Sequence, residues 1–346
     1  MIDYCILGSG ISGSTIANLL SKSSSVEIID KARGIGGRCS SKKFTKNLNF
    51  DHGLQYFSSK NYKFARFLKK LEKNKILKEW PGNHLDFTFK KKISYSKLIG
   101  KKGNNDLNKF LISKIKKKFS TEIIKISNQK NYWELHSKFK TIRSKNLIIT
   151  FPYPQTKKIA KSYLKKNFNN MKINMVPNIT LMISQKGGHD IPISSIKVKG
   201  KYISWVANEN SKKRFFNKST LWTVQANEKF SKNIINTFKK KRNYFSNLIM
   251  RELAQLLNIN NKNLKVFGIH GWKYSYSNNK TSYESYWDKN IRLGICGDWF
   301  MGAKAEHAWL SAHSLFKKIK KNPPKNYTGF NFLKSKLIRI YSLLKP

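Results

Sequence analysis

One spacing near the start of the chain leaves few folds open. Residues 2 to 7, IDYCIL, form a short apolar run, and Gly8, Gly10 and Gly13 follow as GxGxxG. STIANLLSKS then reads as a helix, and Val26 to Asp30, VEIID, as a second apolar run closed by an acid. Strand, glycine turn, helix and strand within about 30 residues is the size of a βαβ unit. Two parallel strands need such a crossover, so the pattern predicts an α/β fold.

The glycines have separate tasks in a turn of this kind. Gly8 allows the tight turn, Gly10 lets backbone come close to a pyrophosphate, and Gly13 lets the helix pack against the strand. Ile11 and Ser12 open the helix, whose free N–H groups and positive end favour an anion. Asp30, followed by Lys31, stands where an acid accepts hydrogen bonds from the ribose of an adenosine.

Directly beyond that acid lies Arg33-Gly34-Ile35-Gly36-Gly37-Arg38. Glycines there let backbone run beside a cofactor, and Arg33 or Arg38 neutralises its phosphates. An NAD dehydrogenase has no general need of this second element. Near the other end, CGDWFMGAKAEHAWLSAHSLF reads as a strand finishing at Gly297-Asp298, a glycine-containing turn and a helix. Asp298 taken alone is equally a helix cap.

These elements together resemble the FAD fingerprints of glutathione-reductase-like enzymes, especially the flavin amine oxidase group. There R-x-GGR follows the ribose acid, and a Gly-Asp turn closes the site. The resemblance implies that Asp298 binds the ribityl and phosphate region and that the helix start near Ala305 and Glu306 faces the flavin. That helix dipole would stabilise negative charge on a reduced flavin. FDHGLQYF at 50 to 57, which contains Gln55, resembles the bacterial renalase-like FAD oxidoreductases. So do KLIGKKGNNDLNKFL at 97 to 111, ISWVANENSKKR from 203, LWTVQANEKFS at 221 to 231 and HGWKYSY at 270 to 276. The resemblance runs from residue 1 to about residue 320. It implies a two-domain flavoprotein with non-covalent FAD, in which a reduced nicotinamide dinucleotide isomer passes a hydride to the flavin. Oxygen then takes the electrons and becomes hydrogen peroxide.

The expected architecture is a Rossmann-type FAD/NAD(P)-binding domain with an inserted antiparallel β-sheet substrate domain. Residues 1–75, 101–155 and 266–322 are assigned to the first, 76–100 and 156–265 to the second, and 323–346 to a basic amphipathic tail. Amphipathic spacing predicts helices from Tyr62 to Trp80 and over 106–119. ITLMIS, YISWVAN and LWTVQAN read as strands of the inserted sheet.

Tyr56, Gln225 and Trp272 are expected on the substrate side of the flavin, acting by positioning. Hydride loss makes a nicotinamide ring aromatic, so no general base is required. Three positions depart from the family pattern. His307 stands where a Gly usually follows the Glu, Gly271 where Arg is usual, and Gln225 where some renalases carry His. An amine oxidase or desaturase-like flavoenzyme is the second reading, and a flavin-binding protein without turnover the third.

The formal charge of +51, from 69 Lys and Arg against 18 Asp and Glu, suggests anionic partners. Its lysines are spread over the whole length, and no compact basic helix, zinc-finger spacing or RNA-binding signature concentrates them. A solvated cationic surface is expected, with no specific nucleic acid. Cys5, Cys39 and Cys296 give neither a disulfide framework nor metal spacing, and His52, His84, His136, His189, His270 and His313 show no ligand pattern. With no signal peptide pattern and no apolar run near ~20 residues, a cytoplasmic location is expected. The tail's Leu333, Leu337, Ile340, Tyr341 and Leu344 fall on one helical face, which would dock on the domain or touch an anionic membrane weakly.

Overall fold

A computed structural model describes residues 1–88, 91–92, 96–187 and 192–324. The expected amphipathic tail from residue 325 onward and His189 lie outside the described residues.

β1 (Ile2–Leu7), α1 (Ile11–Leu20) and β2 (Val26–Ile29) form the predicted unit, with β2 parallel to β1 and Leu7 opposite Ile29. A hairpin of β3 (Lys42–Thr45) and β4 (Leu48–Phe50) follows, and then α2 (Tyr62–Lys73) buries Phe64, Leu68 and Leu71. The helix expected to reach Trp80 stops at Lys73, because Asn74 leaves helical geometry and Lys75 adopts φ 57°. Leu77 then belongs to β5 (Leu77–Glu79), which pairs with β8 (Leu98–Gly100). Between them lie β6 (Asn83–Asp86) and β7 (Lys91–Lys92).

α3 (Asp106–Leu111) is likewise shorter than the 106–119 expected. Its continuation becomes β9 (Lys116–Lys118), a lysine strand with no apolar period of its own. β9 pairs with β2, and the Lys118 ammonium lies 2.9 Å from the buried Glu27 carboxylate, a partner that local sequence does not reveal. β10 (Ile123–Gln129), β11 (Tyr132–Ser137) and β12 (Thr141–Ile149) form an antiparallel meander.

α4 (Tyr153–Ala160) and α5 (Lys166–Asn169) precede the long β13 (Met175–Gln185). β14 (Ile193–Lys197), β15 (Ile203–Asn208) and β16 (Thr220–Ala226) follow, then α6 (Glu228–Ile234) and α7 (Arg242–Leu257). β17 (Leu264–Ser277), β18 (Tyr286–Asp288), β19 (Leu293–Ile295) and α8 (Ala305–Lys321) complete the described chain.

Two sheets organise these elements. In the first, β9, β2, β1, β12 and β19 run parallel, with the meander on one side and β18 antiparallel to β19. One of its faces packs with residues of α1, α2, α3 and α8, and the other with residues of α4 and α5. Helix α1 is buried almost all round, as a helix enclosed on several sides must be. The second sheet has the order β17-β13-β16-β15-β14-β6-β7 and is antiparallel except where β6 lies parallel to β14. Helices α6 and α7 cover one face of it. The fold is therefore the expected Rossmann-type α/β domain with an inserted, mainly antiparallel sheet.

Two expected divisions fall elsewhere. Residue 266 lies inside β17, which pairs with β13 from Leu264 to Ser277, so this strand belongs wholly to the second sheet. Ala160, Leu164 and Phe168, placed beyond the division at 156, pack with Cys5, Leu7 and Ile149 of the first. Among the described residues, no helix is long and apolar enough to cross a membrane.

Candidate functional site

The glycine turn leaves β1 with Gly8 at φ 105° and enters α1 at Gly10, the N-cap residue. A Cβ on Gly13 would stand 1.9 Å from the Gly8 carbonyl oxygen, so only glycine lets the helix come this close to the turn. Gly10 differs: a Cβ there would meet nothing within 4 Å. Its freedom serves the space in front of the turn, not the packing behind it. Asp30, at the end of β2, accepts hydrogen bonds from Ser9 N and Oγ at 2.8 and 2.6 Å and from Ala32 N at 2.9 Å.

The second glycine element is laid on the first. Gly36 and Gly37 have φ 118° and 52°, conformations that favour glycine. A Cβ on Gly37 would lie 3.3 Å from the Gly10 Cα. Arg38 then turns inward. Its guanidinium donates to both Asp298 carboxylate oxygens at 2.5 and 2.8 Å, and to the Ser275 carbonyl of β17 at 2.7 Å. Burial works against the Arg38 charge, but Asp298 outweighs it and holds the guanidinium pKa above its ordinary value. Three segments distant in the chain thus meet at one ion pair.

Around this pair opens a cavity of about 910 Å³. That is near the upper end of the ~300–1,000 Å³ typical of ligand pockets. It is lined by Gly10, Ile11, Ser12, Arg38, Asp298 and Ala305, and by Gln55, Tyr56, Trp205, Gln225 and Trp272. Ser12 Oγ also donates to the Ala308 carbonyl at 3.0 Å, tying the start of α1 to α8.

The three expected substrate-face residues all line the cavity. Their polar groups serve the loop after β4: Gln225 Nε2 donates to the Gly53 carbonyl at 2.7 Å, and Trp272 Nε1 to the His52 carbonyl at 2.8 Å. The Tyr56 ring packs 5.7 Å from that of Trp205. Gln55 donates to the Gly53 carbonyl at 3.0 Å, and its own carboxamide oxygen is buried with no hydrogen-bond partner. Trp205 Nε1 is in the same position.

Other expected residues sit away from the lining. Gly8, Gly13 and Gly37 shape the turns, and Gly297 is extended. Lys31 and Arg33 are exposed, with Lys31 3.7 Å from Glu122, so of the two arginines only Arg38 reaches the cavity. The Glu306 carboxylate is committed to α2. It accepts from Ser59 Oγ, Lys60 N and Asn61 N at 2.7, 2.7 and 2.9 Å, leaving its backbone at the start of α8 as its route to a ligand. Burial alone would raise the Glu306 pKa, but these hydrogen bonds hold it below the ordinary value.

Two departures from the family pattern have a packing reason. A Cβ on Gly271 would lie 2.5 Å from the Phe238 ring, so this position faces the helical layer and not the cavity. The His307 ring packs beside Gly302, and burial lowers its pKa.

Sequence spacing did not expose a buried set of charges between the loop after β4 and the turn after β15. Lys212 Nζ lies 2.8 Å from Asp51 and 2.9 Å from Glu209, and Arg214 donates to Asp51 at 2.5 Å. Thr223 Oγ1 donates to Glu209 at 2.6 Å, two residues before Gln225. Burial would raise the Asp51 pKa, yet Arg214 and then Lys212 hold it far below the carboxylate range. His52 and His270 lie 4.8 Å apart beside Trp272. Burial first, then His270 and Lys42 for His52 and Lys42 and Lys239 for His270, lower their pKa values to about 3 and about 4, so both rings are neutral at pH 7. Cys39 lines the cavity as an unreactive thiol, its pKa pushed up by burial to about 12. Among the described residues, no group of three or more His, Cys, Asp or Glu side chains is gathered to hold a metal ion.

Comparison with known proteins agrees with this geometry. The NAD(P)-binding Rossmann-like domain family matches residues 6–71, which contain both glycine elements. A candidate protoporphyrinogen oxidase from Exiguobacterium sp. 255-15 superposes with a TM-score of 0.70 at 9% identity, over 92% of this chain and 99% of that one. An oxidoreductase from Methanosarcina mazei gives 0.67 at 12% identity, over 91% and 100%. Cyclohexylamine oxidase from Brevibacterium oxydans IH-35A gives 0.67 at 9%, over 92% and 99%. Residues 6–71 thus resemble the NAD(P)-binding Rossmann-like domain family, within a two-sheet fold that these oxidase and oxidoreductase structures share along nearly their whole length.

Proposed function

We propose that the protein is a FAD-dependent oxidoreductase of renalase-like type. It would oxidise a reduced small molecule, an isomeric dihydronicotinamide dinucleotide being the class the sequence resemblance implies, and pass the electrons to oxygen with formation of hydrogen peroxide. The observation that carries this reading is that one cavity is lined both by the glycine turn and the Arg38–Asp298 pair and by the Tyr56, Trp205 and Trp272 rings.

The residues present fit FAD. Gly10 leaves room for a pyrophosphate at the start of α1, and Arg38 offers charge that Asp298 orients. The start of α8 supplies N–H groups without intrahelical partners at Ala305 and Glu306. Bound there without a covalent link, FAD supplies a two-electron acceptor. Gln225, Tyr56 and Trp272 hold the reduced substrate in place, which suits a hydride donor that needs no base.

An amine oxidase remains the second reading, because putrescine oxidase and cyclohexylamine oxidase share the fold. The deciding experiment is anaerobic mixing of the purified yellow protein with substrates. Bleaching by dihydronicotinamide isomers and not by amines supports the proposal; bleaching by amines alone supports the second reading, and a colourless protein defeats both. A cytoplasmic location and weak contact of the tail with anionic membrane are also proposed. Liposome flotation of the full chain against one ending at Pro324 tests the tail, and equal binding removes the membrane contact.

A further inference from the structure

The positive charge of the chain is joined to exposed aromatic rings where the β3–β4 hairpin meets the loop between β15 and β16. We propose that this hairpin and loop form a docking surface for an anionic membrane, separate from any contact of the tail. Phe44 and Phe216 enter the interface, and the lysines around them meet lipid phosphates.

All four residues of β3, Lys42, Lys43, Phe44 and Thr45, are exposed, and Lys46 continues the row into the turn. The β15–β16 loop lies against that turn, since Asn217 Nδ2 donates to the Asn47 carbonyl at 2.8 Å. This loop presents Lys213, Phe216 and Lys218, and Phe216 is 75% exposed. Phe44 also packs 5.8 Å from Phe267 of β17, and the exposed Lys265 places its Nζ 5.8 Å from the Phe267 centroid.

No acid stands among residues 42–50, 213–220 and 262–268. The carboxylates next to the first two segments, Asp51 and Glu209, are buried and already bound by Lys212 and Arg214. Lys78 Nζ reaches the Lys213 carbonyl at 2.8 Å, and burial first, then Arg214, Lys101 and Lys213, lower the Lys78 pKa. Cations are thus crowded here without exposed carboxylates in the same segments.

Lysines alone suit any polyanion, and the rings decide between partners. At a membrane an exposed phenylalanine leaves water for the boundary of headgroups and acyl chains, while its lysine neighbours stay with the phosphates. A single-stranded nucleic acid instead needs free ring faces on which bases stack. Phe44 has the rings of Phe50 and Phe267 at 5.9 and 5.8 Å and the Lys42 ammonium 5.2 Å from its centroid, which leaves little of its face for a base. A second copy of this chain docking through the same face would bring like charges together.

The test uses the full chain with vesicles of mixed phosphatidylglycerol and phosphatidylcholine, and vesicles of phosphatidylcholine alone as the uncharged comparison. Cys5, Cys39 and Cys296 are buried, so a polarity-sensitive dye on Phe216→Cys reports from this loop. Its emission should shift to the blue with the anionic vesicles and stay fixed with the neutral ones, and the same dye on Ile124→Cys of β10 should not shift. Lys213→Glu with Lys218→Glu should weaken vesicle flotation roughly tenfold or more, since each lysine at such a surface contributes about fivefold. Lys158→Glu with Lys161→Glu, the same change of charge at the end of α4, should weaken it clearly less. Anionic vesicles that bind the chain without a shift at residue 216 overturn the proposal, because the contact then lies elsewhere, as on the tail. An equal shift at residue 124, equal weakening by the two pairs of substitutions, or no binding to anionic vesicles also overturns it. So does a larger shift with a short single-stranded RNA than with the vesicles.

Discussion

Arg38 and Asp298 are 260 positions apart in the chain and meet fork to carboxylate, at 2.5 and 2.8 Å, on the wall of one cavity. The pair also takes in the Ser275 carbonyl of β17, so the second sheet is fastened to the nucleotide domain at the point where a cofactor would lie. Their side chains are 29% and 9% exposed, so the pair is screened little by water. Arg38→Lys keeps the charge and loses the fork, and Arg38→Met strands Asp298. We predict flavin dissociation roughly tenfold faster in Arg38→Lys, and a loss of stability of about 3 kcal/mol in Arg38→Met. Arg38→Met with Asp298→Asn should lose less than the sum of the single variants. Ultrafiltration of bound flavin and urea denaturation measure the two quantities.

Gly10 and Gly13 lie three residues apart and should fail in different ways. Gly13→Ala drives a Cβ against the Gly8 carbonyl oxygen, and a fixed backbone atom cannot give way. Destabilisation by about 4 kcal/mol or more, or no soluble protein, is expected. Gly10→Ala meets open space and should leave the melting temperature nearly unchanged, while its methyl group fills the cavity beside the turn and lowers flavin content. Thermal melts with the flavin-to-protein absorbance ratio separate the cases; equal flavin content in Gly10→Ala and wild type would remove the pyrophosphate from this turn.

Glu306 joins two helix starts, its own in α8 and that of α2 through Lys60 N and Asn61 N. Its folded-state pKa is depressed below the ordinary 4.5, against the opposing effect of burial. A depressed carboxylate contributes stability that is fully present above the unfolded pKa and is lost as pH falls through the folded value. Wild type should therefore lose stability below about pH 4.5, and Glu306→Gln should show a shallower loss there from a lower starting point. The substitution should cost about 1–2 kcal/mol at pH 7. Denaturant midpoints between pH 3 and pH 7 check both the sign and the size.

The fold was legible where a local pattern has a single use. GxGxxG between two apolar runs, with Asp30 closing the second, admits little besides a βαβ unit, and Tyr56, Gln225 and Trp272, singled out from a sequence resemblance, line one cavity. Other features depend on partners far away in sequence. Lys116–Lys118 reads as the end of a helix until Glu27 is placed beside it, and Leu77 belongs to α2 only until Lys75 turns the chain. Arg33 and Arg38 are equivalent as letters, and only the position of Asp298 decides that Arg38 points inward. Asp51 and Lys212, 161 residues apart, carry no mutual signal at all.

That last pair gives the strictest test of how the loop after β4 is joined to the second sheet. Lys212 has 0% side-chain exposure and touches both Asp51 and Glu209, so Lys212→Met leaves two buried carboxylates with one remaining cation, Arg214. We predict a loss of about 3–5 kcal/mol. Lys212→Met combined with Glu209→Gln keeps the Asp51–Arg214 pair and restores charge balance, so it should be the more stable of the two variants despite carrying one more substitution. Because Thr223 donates to Glu209 two residues before Gln225 donates to Gly53, the double variant should still loosen the cavity wall. Its flavin spectrum should shift while its urea midpoint recovers. A midpoint that falls further in the double variant would mean that Glu209 and Thr223, and not charge balance, hold the loop to the sheet.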